Sequence, residues 1–275
     1  MSLPAKWKEW VIDQLLRGGE PTQILSTIIQ NGFTFEAGKK LLGSNLPANI
    51  GFFKDAAFFE RLSHPPLLDA LEQYNAEYLE SEKAQLIRLD NFMSAEDCAE
   101  IIRLTKTKLR PSEIATETGY AGFRTSSTCD LTFLNHDAAF RIDQKIIDCL
   151  GIDVGTTEII QAQHYGVGQQ FKAHHDYFEP GSAGYLKYSK DGGQRTWTFM
   201  VYLNQECEGG ETEFPHLRLK FRPKTGTAII WNNLLADGTI NPNTLHQAHP
   251  ITLGEKVVIT KWFREENRDV VIPKS

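Results

Sequence analysis

Two periodicities divide this chain. Over the first 60 residues the pattern is helical: Trp7, Trp10, Val11, Gln14 and Leu15 follow one repeat until Gly18-Gly19 stops it. Glu20-Pro21 opens a second helix with Ile24, Leu25, Ile28 and Ile29 on one face, closed at Asn31-Gly32. A third short helix fits Phe35 to Leu42, ended by Gly43. Around the Pro65-Pro66 break, His64 to Lys83 reads as a further helix with Leu67, Leu68, Leu71, Tyr74 and Tyr78 available to pack. Gln85-Leu-Ile-Arg-Leu89 then alternates like a strand. Ser94-Ala-Glu-Asp97 has the form of a capping box, starting a helix whose Cys98, Ile101, Ile102 and Leu109 face a sheet. From Gly119 onward the helical pattern fades. Strand-like runs recur at Leu131 to Leu134, Glu158 to His164, Trp197 to Leu203, Leu219 to Arg222, Thr227 to Trp231 and Lys256 to Phe263, separated by Gly, Pro and Asn turns.

The expected fold class is therefore α+β: a double-stranded β-helix, or jelly roll, whose two sheets enclose a pocket, braced by helices and preceded by a small helical module. The expected divisions are a helical module at 1–60, a helical linker at 61–84, the strand-rich domain at 85–268 and a C-terminal tail at 269–275. Apolar helix faces usually pack on their neighbours, so the module reads first as structural, with partner recognition as the alternative.

Composition narrows the class. A 275-residue chain that is 41% hydrophobic can bury one large core and a small one. Its net charge of −6 argues against broad nucleic-acid or anionic-membrane binding. Cys98, Cys129, Cys149 and Cys207 lack C-x-x-C spacing, and the N-terminus lacks the apolar core of a secretory signal. No apolar run approaches the ~18 residues that span a bilayer. The expectation is a cytoplasmic protein with free thiols.

The chemistry concentrates at His174 and Asp176. On extended backbone, residues two apart share a face, so these side chains converge while His175 points away. Two imidazoles and one carboxylate on one face of an octahedron leave three positions open, the donor set of non-haem Fe(II) oxygenases. His246 is the best candidate for the second imidazole, with His249 as its competitor. His164 alternates outward, and His64, His136 and His216 read as surface or loop residues. In the run from Glu255 to Phe263, Lys256, Val258, Thr260 and Trp262 share one face, which carries a cation into the same interior. A lysine on an apolar strand face needs an anionic partner.

Several further stretches keep company with these residues: Tyr165-Gly-Val-Gly-Gln-Gln-Phe171, Arg195-Thr-Trp-Thr-Phe-Met-Val-Tyr-Leu203, Gly209-Gly-Glu-Thr-Glu-Phe-Pro215, Pro223-Lys-Thr-Gly-Thr-Ala228, and Gly254-Glu-Lys256 through Lys261-Trp262. In this order, over about residues 85 to 268, the chain resembles the catalytic domain of prolyl 4-hydroxylases, members of the 2-oxoglutarate and Fe(II)-dependent dioxygenases. The resemblance implies Fe(II) on His174, Asp176 and His246, since His246 alone keeps the ten-residue register to Lys256. Mn, Co, Ni or Zn could bind the same atoms. It implies 2-oxoglutarate chelating the metal and anchored at its far carboxylate by Lys256, with hydroxyls from Tyr165 and Thr198 and, secondarily, Tyr202. Arg195 and Trp262 match positions near the peptide substrate or the reacting centre.

Arg124-Thr125-Ser126 matches the family's groove-lining Arg-Thr-Ser-Ser stretch. This chain departs from it at Thr128, Cys129 and Asp130, which changes the groove's charge and puts the substrate, not the reaction, in question. O2 is the co-substrate, and ascorbate is a candidate reductant. The intact Asp176 favours hydroxylation over halogenation. The segment from Glu179 to Gly193 has the length and position of a lid. The leading expectation is hydroxylation of a peptidyl proline in a protein or peptide, yielding succinate and CO2. Its alternatives are another side chain or a small molecule with the same cofactors, and a non-catalytic metal-containing jelly-roll binding module.

Overall fold

The N-terminal periodicity becomes three helices, α1 (Ala5–Leu16), α2 (Pro21–Gln30) and α3 (Phe35–Leu42), in a computed structural model that describes residues 3–48, 50–52, 54, 56–64, 76–79, 82–112, 122–151, 156–190, 192–265 and 271–273. Pro21 occupies the first turn of α2, where its missing N–H costs nothing. Thr34 caps α3 by accepting from the Ala37 amide at 3.2 Å. Val11, Ile24, Leu25, Ile28, Ile29, Phe35 and Leu42 then bury a core of their own. Each such side chain contributes about 1.5–3 kcal/mol on burial. Helix α4 (Ala56–Leu62) follows, and Ile50–Phe52 pairs antiparallel with Val271–Pro273, inside the stretch read as a tail.

The strand-rich part forms two large antiparallel sheets, with Cys207–Gly209 and Ile251–Gly254 paired as a separate two-stranded ribbon. The larger runs Ala76–Tyr78, Leu86–Leu89, Ala228–Asn232, Arg195–Tyr202, Lys256–Arg264, Gln161–Tyr165, Ser127–Asp130, Arg110–Pro111, with Thr156–Thr157 also on the Lys256–Arg264 strand. The smaller runs Leu219–Phe221, Thr212–Phe214, His246–Ala248, Phe171–His174. Helices α5 (Ala95–Thr105) and α6 (Asp137–Leu150) cover the outer face of the large sheet, where Cys98, Ile101, Ile142, Ile146 and Leu150 meet Ile87, Phe199, Val201 and Ile259. The inner face supplies Tyr165, Met200, Tyr202, Ile229, Trp231 and Val258, which meet Phe214 and Ile251 between the sheets. This is the jelly roll that the strand spacing predicts. Among the described residues no helix is long and apolar enough to cross a membrane, and none of the four cysteines forms a disulfide.

Three expectations need correction. Leu131–Leu134 is a 3₁₀ turn, and the strand lies just before it at Ser127–Asp130. Asn135 at φ +46° bends the chain there into the start of α6. Helix α6 itself was missed, although Ala138, Ala139, Ile142, Ile146, Cys149 and Leu150 hold helical spacing and Gly151 caps it in the left-handed region. In the stretch read as one helix from His64 to Lys83, Ala76–Tyr78 is a strand on Leu86–Leu89. Ala76 and Tyr78 pack on the core while Glu77 faces out to Arg88 at 2.8 Å, a period of two. Residues 65–75 of that expectation lie outside the described residues.

Candidate active site

The small sheet brings the donors together. His246 sits directly opposite His174 in the antiparallel pairing of their strands, so the two imidazoles become cross-strand neighbours with centroids 4.2 Å apart. Asp176 follows in the bend after the Phe171–His174 strand. Its Oδ1 lies 3.8 Å from His174 Nε2, and its Oδ2 3.9 Å from His246 Nε2. Among the described residues these three form the one group suited to a metal ion, their ligand atoms all within 4.8 Å of one another.

Both rings are oriented by their other nitrogen. His174 Nδ1 lies 2.7 Å from the Lys172 carbonyl, and His246 Nδ1 2.9 Å from the Thr244 carbonyl. A carbonyl only accepts, so each Nδ1 carries the proton and each Nε2 presents a lone pair toward Asp176. Burial, with His246 beside it, holds His174 well below its ordinary pKa and so neutral. Burial alone would raise the Asp176 carboxyl, but His246, His174 and Arg195 hold it below its usual value. Two imidazoles and one carboxylate fit a divalent transition metal such as Fe(II). The rings are also clamped: Phe171 stacks on His174 at 3.4 Å, and Trp231 meets His246 edge-on at 4.8 Å.

Asp176 is held by a buried relay that the sequence did not announce. Thr198 Oγ1 donates to Asp176 Oδ2 at 2.8 Å and accepts from Asn233 Nδ2 at 2.8 Å. Trp231 Nε1 donates to Asn233 Oδ1 at 3.1 Å. Thr198 was expected to offer its hydroxyl to 2-oxoglutarate; in this structure that proton is committed to the carboxylate. Asn233 follows an apolar strand as part of an Asn-Asn pair, which reads as a turn, so sequence carries no signal for it.

Behind the donors lies a narrow chamber lined by Gln163, Tyr165, Met200, Thr212, Lys256, Val258 and Thr260, among others. Lys256 is 1% exposed, its Nζ donates to the Gly210 carbonyl at 2.8 Å and lies 4.5 Å from the Tyr165 ring centroid. Burial pulls its ammonium down to about 7, against the weaker opposing pull of Cys207 and Glu211. A buried ammonium satisfied by one carbonyl is a cradle for a carboxylate. Tyr165 donates to Gln163 Oε1 at 2.8 Å, and Gln163 Nε2 donates to Thr260 at 3.2 Å. Tyr202 packs behind the wall and gives its hydroxyl proton to Thr212 at 2.6 Å, so Thr212, not Tyr202, presents a hydroxyl to the chamber. Gln163 and Thr212 were not anticipated, although Gln163 lies two residues before Tyr165 on the same strand face.

In front of the donors an open groove of about 480 Å³ is lined by Phe123, Arg124, Phe171, Phe178, Tyr188, Arg195 and Trp262, among others. Arg195 grips Glu158 through two bonds of 2.6 Å, donates to the Asp176 carbonyl at 3.3 Å and stacks 4.1 Å from the Trp262 ring. Trp262 Nε1 is buried without a well-formed hydrogen bond. Of the groove triplet, Arg124 lines the space, donating to Gln161 Oε1 at 2.8 Å. Thr125 and Ser126 are not among the residues lining that space: Thr125 is clasped to the Gln170 backbone at 2.9 Å, and Ser126 is 3% exposed against Ser112 at 2.8 Å. Asp130 does reach the groove and pairs with Arg110 at 2.6 Å. His175 bonds the Pro242 carbonyl at 3.2 Å, and His249 pairs with Glu213 at 2.6 Å, both outside the donor group. His164 does turn from the chamber, but toward helix α5 rather than solvent, at 3.0 Å from Thr105 Oγ1.

A two-sheet barrel with a facial His, Asp and His group between a cationic chamber and an aromatic groove defines a class. Residues 160–264 match the family model described as "2OG-Fe(II) oxygenase superfamily". The chain is 30% identical over 211 residues to "Probable prolyl 4-hydroxylase 9" of Arabidopsis thaliana, covering 69% of this chain and 72% of that protein. It is 32% identical over 194 residues to "Prolyl 4-hydroxylase subunit alpha-1" of Bos taurus, covering 69% of this chain but only 36% of that subunit's length. Among solved structures it is similar to the viral collagen prolyl hydroxylase vCPH of Paramecium Bursaria Chlorella virus-1 in its 2OG complex, with TM-score 0.52, 26% identity, and coverage of 66% of this chain and 96% of that one. The chain belongs to the 2OG-Fe(II) oxygenase superfamily, as a prolyl 4-hydroxylase-like member.

Proposed function

We propose that this protein is an iron- and 2-oxoglutarate-dependent dioxygenase that hydroxylates a peptidyl proline, consuming O2 and 2-oxoglutarate and releasing succinate and CO2. One observation carries the reading: Phe171, His174, Asp176 and Trp262 line both the inner chamber and the outer groove, so a metal held there would face a co-substrate on one side and a peptide on the other. Iron, when bound, supplies the activation of O2 that no side chain here can perform. The chain's own residues do the rest.

His174 and His246 offer Nε2 lone pairs, Asp176 offers the carboxylate, and Thr198 fixes which oxygen is free. Lys256 holds the far carboxylate of 2-oxoglutarate, with the Tyr165 and Thr212 hydroxyls beside it. The groove's Phe123, Phe178, Tyr188 and Trp262 suit a proline-rich segment, because aromatic walls dock the preformed polyproline helix at little entropic cost. Arg195, preset by Glu158, and Arg124 are in position to donate to the peptide backbone. Ascorbate serves as reductant, and a cytoplasmic setting suits four cysteines outside any disulfide.

The test is anaerobic addition of Fe(II) and 2-oxoglutarate, watched for the visible metal-to-ligand charge-transfer band, then O2 and mass analysis of a proline-containing peptide library. A band followed by gain of one oxygen on proline is the expected result, with both lost in His174→Ala and Asp176→Ala. A band and succinate without modified peptide would move the substrate to another side chain or a small molecule. No band in the wild type would replace the enzyme by a non-catalytic metal-containing binding module.

A further inference from the structure

The segment Glu179 to Gly193 joins the Asp176 bend to Arg195, and its middle forms a short helix, α7 (Ala183–Tyr188). One of its faces builds the groove: Tyr188 lines it and stacks with Phe178 at 5.8 Å. Its other face rests on the N-terminal helices. The Gly181 amide donates to the Asn31 carbonyl at the end of α2, at 2.7 Å. Gly181 has φ +76°, and a Cβ there would come within 2.7 Å of Trp7 Nε1 and 3.1 Å of Phe33. Trp7 and Phe33 are themselves packed edge to face at 5.0 Å. From the other side Gly32, at φ +88°, lies flat under the Tyr185 ring, whose atoms a Cβ would meet at 2.5 Å. Tyr185 is 6% exposed. Both approaches need a residue without a side chain, which makes them a fitted joint rather than a loose surface contact.

The segment's ends are pinned by other means. Gln194 clasps Phe178 through two hydrogen bonds of 2.7 Å. Arg264 donates to the Tyr188 and Gly193 carbonyls at 2.5 and 2.6 Å, and its other arm reaches Glu158 at 2.8 Å. Glu158 is the carboxylate that grips Arg195. The middle of the segment meets the N-terminal helices through Gly181 and Tyr185.

We propose that the N-terminal helical module is an intramolecular clamp on this segment, fixing the Tyr188 wall of the groove and so setting affinity for the peptide and not for 2-oxoglutarate. The inference rests on the groove being the peptide site, as argued above. It assigns the first 60 residues a role in substrate binding that requires no partner protein. The joint itself lines neither space; it bears on the groove through Tyr188, at the end of the helix it holds, and no residue of the joint or of that helix lines the Lys256 chamber.

The test uses the full chain with Trp7→Ala, which empties the module side of the joint, and Gly181→Ala, which crowds the segment side. Leu16→Ala, on the module's 83% exposed position, is the control. Amide hydrogen exchange across residues 182–190 should accelerate about tenfold in both joint variants and stay at wild-type rates in the control. Half-saturation of the Fe(II)–2-oxoglutarate charge-transfer band should not move, while KM for the peptide rises roughly 3- to 10-fold and kcat stays within about twofold. Unchanged exchange at 182–190 in both variants overturns the clamp. A 2-oxoglutarate half-saturation that rises as much as the peptide KM also overturns it, because it signals general damage. If the wild type hydroxylates no proline peptide, the functional reading falls, and the exchange measurement still decides whether the module holds the segment.

Discussion

Lys256 shows how one residue can report on its ligand. Its ammonium, which burial pulls down from 10.5 to about 7, forms no ion pair with a carboxylate among the described residues, so a dianion bound in the chamber would restore the charged form. Below about pH 7 the lysine is charged before the ligand arrives, and affinity for 2-oxoglutarate should be flat. Above it the protein must bind a proton first, so the apparent Kd should rise about tenfold per pH unit until the pKa of the occupied site is reached. Calorimetry at about pH 8 in two buffers of different ionisation enthalpy should detect uptake approaching one proton per ligand, and almost none at about pH 6. The same shift makes the ligand-free protein more stable as pH rises from about 7 toward 10.5, because over that range the unfolded chain holds the extra proton. Lys256→Ala should raise the 2-oxoglutarate requirement about 100-fold, and equal dependence in variant and wild type would remove Lys256 as the anchor. Thr198 gives a second residue-scale expectation. Thr198→Val strips a hydrogen bond from Asp176 Oδ2 and leaves the fully buried Asn233 amide without its acceptor. Metal affinity, titrated with Co(II) in place of iron, should fall about 10- to 100-fold, and Thr198→Ser should restore most of it.

At the scale of elements, helix α6 tests the outer layer. Ile146 is fully buried against the large sheet, away from the metal donors. Ile146→Ala should cost about 2–5 kcal/mol in urea unfolding while leaving the charge-transfer band intact. That helix also marks where sequence reading stops. Periodicity located α1, α2 and α3 and most strands of the large sheet, because each buries one continuous face. The face shared by Lys256, Val258, Thr260 and Trp262 was legible for the same reason, and all four line the chamber. Helix α6 was passed over because its Phe140, 50% exposed, and its polar residues blur the stripe within a region already read as strands. The strand at Ala76–Tyr78 is too short for alternation to be seen; its pairing with Leu86–Leu89 decides it. His174 and Asp176 do converge, but through the bend that follows the strand at His174 and not through strand alternation, and the choice of His246 over His249 depends on cross-strand register, a tertiary fact. Nothing in the sequence joins Asn233 to Thr198, or Glu158 to Arg195 and Arg264, since those bonds span 35, 37 and 106 residues.

At the scale of the whole molecule, the groove is a place where charge has been matched rather than accumulated. The chain carries a net charge of −6, yet Arg110, Arg124 and Arg195 share the groove with Asp130, Glu158 and Asp176. Arg110 pairs with Asp130, and Arg195 and Arg264 share Glu158, which keeps the Glu158 carboxyl below its usual value despite burial that would raise it. Paired charges at contact distance project little field beyond a Debye length of about 8 Å at physiological salt. On the proposed function, a peptide would therefore be selected here by shape and apolar contact with the aromatic walls, not drawn in from a distance. Raising salt from about 50 to about 300 mM should change the peptide KM less than twofold, whereas an electrostatically steered site would lose affinity steeply over that range. Glu158→Gln breaks the balance at its centre. Two guanidinium groups, each less than a sixth exposed, would lose their shared carboxylate, at a cost on the order of 3 kcal/mol in chemical unfolding. The freed positive charge should also make peptide affinity salt-dependent, with acidic proline peptides gaining over neutral ones. If Glu158→Gln keeps wild-type stability and salt response, the groove is not governed by matched charge, and recognition must be sought in residues beyond these pairs.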